Sequence, residues 1–166
     1  GGLHGVGASV VNALSEWLEV KIYQHSKVHY QRFEKGGHPV EPLKVIDTCE
    51  ENRTGTKITF KPDPTIFEET TVYNYETLKT RARELAFLNK GLQIKLIDLR
   101  EDDKKDAFLY NGGIIEYVKM LNAPKNTIHE EIVYVEGKED DIEIEVAMQY
   151  NDSYSDNIYS FTNNIH

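Results

Sequence analysis

The spacing of apolar positions changes several times along this chain, and each change marks a predicted element. Just after Gly7, the residues Val10, Leu14, Trp17 and Leu18 fall on one face of a helix. Leu18, Val20 and Ile22 then alternate with Glu19, Lys21 and Tyr23, so that helix is expected to run into a strand. Val28 to Phe33 should pair back as a hairpin across His25-Ser26-Lys27. Leu43 to Ile46 reads as a further short strand, and Lys57 to Phe60 alternates again after Thr54-Gly55-Thr56, until Pro62 and Pro64 end it. Helical spacing returns at Tyr75, Leu78, Ala82 and Leu85, with Gly91 where a C-cap belongs. Leu92, Ile94 and Leu96 predict a strand, Glu101 to Asp106 a charged turn, and Ile114, Tyr117, Val118 and Leu121 a short helix after Gly112-Gly113. Strands are expected at Ile132–Val135 and at Ile142–Tyr150, and a strand-like segment at Asn157–Ile165. The pattern is α+β: helices on a mostly antiparallel sheet, then a second part that opens with strands. No internal repeat interrupts it.

Charge sharpens the division. Through Thr127 the chain of 166 residues carries 18 acidic and 18 basic side chains. From Ile128 onward ten acidic residues face Lys138 alone, which accounts for the whole net charge of −9. A domain boundary is therefore expected near 122–130, where Asn122-Ala123-Pro124-Lys125-Asn126 supplies turn residues. The acidic segment is a poor nucleic-acid surface, because phosphate binding needs a basic face. Cys49 is the only cysteine, which rules out internal disulfides and cysteine-clustered zinc and suits a reducing cytoplasm. No apolar run reaches the roughly 20 residues of a membrane helix.

The chemistry-bearing motif is Gly1-Gly2-Leu3-His4-Gly5-Val6-Gly7, which leads straight into the first predicted helix. Glycines let a backbone approach an anion closely, and the free amides of a helix start favour phosphate. A tight turn that merely caps a helix has the same composition. Two familiar phosphate loops are excluded. Gly2 and Gly7 have the Walker spacing but continue Ala8-Ser9 without the lysine, and Gly5-Val6-Gly7-Ala8-Ser9-Val10 lacks the last glycine of a dinucleotide fingerprint.

The longer string, Gly1 through Ser15 (GGLHGVGASVVNALS), closely resembles the ATP-lid motif of bacterial type IIA topoisomerase B subunits. That family comprises the gyrase and topoisomerase IV branches. The resemblance continues through Thr54-Gly55-Thr56, through Arg83 to Gly91, through Tyr150-Asn151-Asp152, and through Phe161-Thr162-Asn163-Asn164-Ile165. General similarity along Tyr73–Gly91 favours the gyrase branch, while Glu16-Trp17-Leu18-Glu19-Val20 pulls toward the other. The resemblance implies the latter half of a GHKL-type ATPase α/β sandwich over 1–127. The first strands of a transducer (ribosomal S5 domain 2-like) domain would follow over 128–166.

It also implies a site. The backbone of Gly2, Leu3, His4, Gly5, Val6 and Gly7 would fold over the phosphates of ATP, and the Thr56 hydroxyl would sit beside the adenine. The family's glutamate base, magnesium-binding asparagine and adenine-binding aspartate belong to elements that precede the lid, so Mg²⁺ would be held outside this segment and no catalytic residue is nominated within it. ATP binding would close two copies of the ATPase chain into a clamp that passes one DNA duplex through another. Negative supercoiling would require the gyrase A partner protein in an A2B2 heterotetramer. Contacts to double-stranded DNA would lie mostly outside the segment. Where the family usually carries an arginine that pairs with coumarin inhibitors, this chain has Gln24, which cannot make a bidentate charged contact. The chain opens inside a glycine loop and is expected to be an internal fragment, inert by itself.

Other residues read plainly. Glu50-Glu51, Asp102-Asp103 and Glu139-Asp140-Asp141 fit solvated turns, and His25 and His29 on a hairpin do not share a metal-facing surface. Cys49 has no basic neighbour in sequence, and Ser9 and Ser15 are expected in the lid helix. Sensor histidine kinases and MutL-type repair proteins share the lid fold, but their strings after the glycines differ.

Overall fold

The computed structural model describes residues 6–100 and 104–165. They form two compact units, Gly1–Val72 and Tyr73–His166. The charge step at 127/128 falls inside the second of them.

The first unit is one antiparallel sheet preceded by a short helix. Helix α1 spans Gly7–Ala13, and strands follow at Ser15–Gln24 (β1), Lys27–Glu34 (β2), His38–Pro39 (β3), Lys44–Thr48 (β4) and Gly55–Pro62 (β5). The sheet runs β3-β2-β1-β5, and β4 also pairs with β2. The expected helix was too long: Trp17 and Leu18 lie in β1. Ser15 ends the helix rather than belonging to it. Its buried hydroxyl donates to Val11 O at 2.6 Å, satisfying a last-turn carbonyl while the backbone turns extended. The hairpin between β1 and β2 closes Gln24 against Lys27, leaving His25 and Ser26 at φ 51° and 58°. Positive φ at both central residues is what a two-residue hairpin loop demands, although asparagine and glycine usually supply it.

Register separates this sheet into two chemistries. Residues directly opposite one another in an antiparallel pair share a face. Leu18 faces Phe33 and Phe60, Val20 faces Gln31 and Ile58, and Ile22 faces His29 and Thr56, which makes this face mainly apolar along β1 and β5 and mixed along β2. The other carries Trp17, Glu19, Lys21 and Tyr23 opposite Glu34, Arg32, Tyr30 and Val28. Leu18 and Val28 are the buried hydrophobic residues of this unit.

The second unit is built on aromatic packing. Helix α2 (Tyr75–Leu88) starts at Asn74, whose side chain accepts from Thr77 N at 2.9 Å. Of the expected stripe Tyr75 is buried, Ala82 and Leu85 are half-buried and Leu78 is exposed, while Ala86 and Phe87 are buried instead. Phe87 stacks on Tyr110 with centroids 3.6 Å apart and on Tyr117 at 5.0 Å, and Tyr117 in turn meets Tyr159 and Phe161. Two short strands, Ile94–Ile97 (β6) and Lys105–Phe108 (β7), pair beside α2. β7 occupies part of the expected charged turn: Asp106 is fixed in it by the Tyr75 hydroxyl at 2.8 Å and Lys79 at 3.0 Å. Helix α3 (Ile114–Asn122) follows Gly113, whose φ of 59° favours glycine and where an added Cβ would also crowd the flexible Lys90 side chain.

The turn 123–126 is clamped rather than loose. Asn122 is buried, donating to Gln149 Oε1 at 3.0 Å and accepting from Asn151 Nδ2 at 3.1 Å. Asn126 donates to Asp152, and His129 Nε2 accepts from Tyr150 N at 3.0 Å. Strands Val133–Glu139 (β8) and Ile142–Met148 (β9) then form a hairpin. Its apolar face, which includes Val135, Ile144 and Val146, is exposed. Lys90 ties the hairpin to the end of α2 through Glu145 at 2.7 Å. No strand forms at 157–165. Asn163 and Asn164 take φ of 51° and 67° in a tight turn closed by Thr162 and Ile165. Arg81 holds that turn by donating to Asn164 O at 2.6 Å.

Two outcomes test this packing. Phe87→Ala removes the centre of the aromatic stack and should cost about 3–5 kcal/mol in urea unfolding; a loss below about 1 kcal/mol would place the core elsewhere. Asp98 has its carboxyl held down at about 2 by the Arg100 side chain and backbone amide. An acid depressed below its ordinary ~3.9 contributes stability that is complete above that value and lost as pH falls toward 2. The stability difference between the parent and Asp98→Asn should therefore be constant from neutral pH to about 5 and shrink below about 4. A pH-independent difference would contradict it.

Candidate nucleotide-binding site

Of the glycine motif, Gly2, Leu3, His4 and Gly5 lie outside the described residues. Val6 is the N-cap of α1 and Gly7 its first residue. The first intrahelical bond of α1 runs from Val10 N to Val6 O at 2.9 Å. The amides of Gly7, Ala8 and Ser9 precede that bond and need acceptors from outside the helix. No acidic residue occupies this first turn, so an incoming anion meets no fixed negative charge there.

Thr56 stands on the apolar face of the sheet. It lies directly opposite Ile22 on β1, and Ile58 follows two residues along β5 on the same face. Thr56 and Ile58 are exposed and Ile22 is half-buried. A hydroxyl flanked by two isoleucines offers one hydrogen bond within a flat apolar surface, which suits a purine ring: its faces pack and its edge needs a partner. Gln24, at the end of β1, has the same strand parity as Ile22 and is exposed on that face. The register thus brings Thr56 and Gln24 to one side of the sheet, although they are far apart in sequence.

Among the described residues, no three of His, Cys, Asp and Glu converge on a point where a metal ion could sit. Glu50 and Glu51 are exposed beside a turn, and Asp140 and Asp141 form the tip of the β8–β9 hairpin with Asp140 at φ 52°. Asp102 and Asp103 lie outside the described residues. His25 occupies its hairpin turn, and the Cys49 thiol donates to Lys27 O at 3.6 Å.

The polar face opposite Thr56 follows from the alternation of Glu19, Lys21 and Tyr23 with Leu18, Val20 and Ile22, but its contacts were not read from the sequence. Arg32 lies over Trp17 at 4.9 Å and bridges Glu19 and Glu34, while Tyr30 donates to Glu19 at 3.0 Å. Arg32 first and Tyr30 second hold the Glu19 carboxyl below its ordinary range. Trp17, Glu19, Lys21 and Tyr23 alternate in the sequence, and that alternation was the available signal.

Known proteins resemble the chain along its whole length. It is 57% identical to the gyrase B protein of Halalkalibacterium halodurans over 99% of its residues, and 52% identical to that of Staphylococcus aureus over 100%. It spans 25% and 26% of those relatives, and 39% of the Bacillus cereus gyrase B sequence, to which it is 58% identical. The family model described as DNA gyrase B matches residues 113–166. The 43K ATPase domain of Thermus thermophilus gyrase B, solved in complex with an aminocoumarin, superposes with a TM-score of 0.79 at 36% identity, covering 92% of this chain and 41% of that one. No helix among the described residues is long and apolar enough to cross a membrane. With the α+β fold and the sequence similarity in agreement, the chain belongs to the DNA gyrase B family.

Proposed function

We propose that this chain is the part of a gyrase B protein that forms the adenine-facing strand and the ATP lid, and then leads into the transducer. The observation that carries the reading is the placement of Thr56 on the apolar sheet face, opposite Ile22, in a chain similar to gyrase B from end to end. Residues 1–127 then belong to the GHKL-type ATPase domain and 128–166 open the transducer, the acidic composition beginning where the second domain does.

In this reading the base of ATP packs on Ile22 and Ile58, with the Thr56 hydroxyl bonded to the ring edge. Gly2, Leu3, His4, Gly5, Val6 and Gly7 fold over the phosphates, contributing amides rather than charged groups. ATP carries Mg²⁺, which neutralises phosphate charge during transfer to water. In this reading the role of the segment is to bind and enclose the nucleotide. Nucleotide binding closes two gyrase B chains into a clamp. Together with gyrase A in an A2B2 assembly, the cycle passes one duplex through another and supercoils DNA in the cytoplasm. Gyrase is favoured over topoisomerase IV because the curated relatives named above are gyrase B proteins.

Thr56→Val keeps the shape of the side chain and deletes its hydroxyl. In the gene product carrying this segment it should weaken ATP binding roughly tenfold, the worth of one hydrogen bond of about 1.4 kcal/mol. Unchanged affinity in equilibrium titration would remove Thr56 from the site. The 166-residue chain alone should release no phosphate from ATP above buffer.

A further inference from the structure

The face of the β3-β2-β1-β5 sheet opposite Thr56 has a charge pattern that stability does not explain. Its cations fall into two groups. Arg32 is bonded to Glu19 and Glu34, Lys61 to Glu16 at 2.7 Å, and Lys44 to Glu41 at 2.5 Å. Lys21 and Lys57, by contrast, lie directly opposite each other on β1 and β5. Among the described residues neither makes an ion pair with a carboxylate. Glu19, the acid nearest Lys21 along its strand, is hydrogen-bonded to Arg32 and Tyr30, and Lys21 acts on it only through longer-range attraction. Like charges in directly opposed cross-strand positions destabilise a sheet. Arg53 adds a third positive charge at this end of the face, with its guanidinium 4.1 Å over the Tyr23 ring. Tyr23 pairs with Gly55, beside which a Cβ would meet open space.

Lys21, Lys57 and Arg53 thus place three cations at one end of this face, where Gly55 leaves the backbone open, while Asp47, opposite Val28, and the exposed Glu50 and Glu51 are the acids at the same end. Lysine is depleted from the cores of protein interfaces, because burying its ammonium costs more than the contact returns. It is a usual partner of the nucleic-acid backbone, where each contact releases condensed counterions. We propose that Lys21, Lys57 and Arg53 form a docking surface for the phosphate backbone of double-stranded DNA. This goes beyond the function proposed above, which places the DNA contacts mostly outside this segment and uses the opposite face of the sheet for ATP. The contact positions the duplex without reading its sequence, because these groups reach phosphates and not base edges.

The test is fluorescence anisotropy of an end-labelled duplex of about 20 base pairs titrated with the chain at several salt concentrations between roughly 50 and 200 mM. Each phosphate contact contributes about 0.9 to the slope of log affinity against log salt, so three contacts predict a slope near about −3. Lys21→Gln with Lys57→Gln should reduce that slope by about two and lower affinity at low salt more than roughly tenfold. The pair Lys21→Arg with Lys57→Arg should retain both, and Lys119→Gln on α3 should change neither. Circular dichroism of each variant establishes that it is folded. Absence of duplex binding at low salt would overturn the proposal, as would a glutamine pair that keeps the parental slope. So would lysine-dependent self-association in sedimentation without DNA binding, because the patch would then dock an acidic protein surface. Loss of DNA binding with intact nucleotide affinity leaves the Thr56 assignment standing, so the two readings fail separately.

Discussion

Everything in the first unit follows from the register of β1 against β2 and β5. Strand side chains alternate with period two, so a slip of one residue would move Leu18, Val20 and Ile22 to the charged side and Lys21 to the apolar one. The ion pair of Arg32 with Glu19 forms only in the observed register, and so does the juxtaposition of Thr56 with Ile22. One pairing thus sets both the face proposed for the base and the face proposed for DNA. The His25-Ser26 turn closes that pairing with both residues at positive φ, a cost accepted because β1 pairs along its length with neighbours on both sides.

Packing of a different kind organises the second unit. Its stacked rings run from Tyr110 through Phe87 to Tyr117 and on to Tyr159 and Phe161, so the segment after the hairpin is held by aromatic contact and by Arg81 rather than by a strand ladder. The asparagine and glutamine network at Asn122, Gln149 and Asn151 joins the end of α3 to the end of β9 with its polar groups paired, as burial requires. The charge step at 127/128 therefore lies beside a fixed turn and not in a flexible linker.

Much of the fold was legible because alternation is a local signal. The strands centred on Val20, Val28–Phe33, Ile58 and Val146 were read from it, and their bounds moved by a few residues. What failed was decided by contacts that sequence spacing does not show. Leu14, Trp17 and Leu18 repeat at helical intervals, yet Ser15 closes the helix and the chain becomes a strand. Lys105 and Asp106 looked like turn residues, but Tyr75 and Lys79 recruit Asp106 into β7. Asn163 and Asn164, read as strand, form a turn because asparagine tolerates positive φ. Within the candidate site, the glycine motif was read from its own residues, and Thr56 came from the resemblance. The placement of Thr56 beside Ile22, and the bare lysine pair on the reverse face, required the register.

If the two faces of one sheet bind different ligands, the apolar one a nucleotide, then a nucleotide should perturb one face alone. Methyl and amide NMR spectra of the protein, titrated with a non-hydrolysable ATP analogue, read both faces at once. Shifts should be confined to Ile22, Thr56, Ile58 and the start of α1, with Lys21, Tyr23 and Lys57 unmoved. Shifts centred on Lys21 and Lys57, with Thr56 silent, would refute the assignment of the apolar face to the nucleotide.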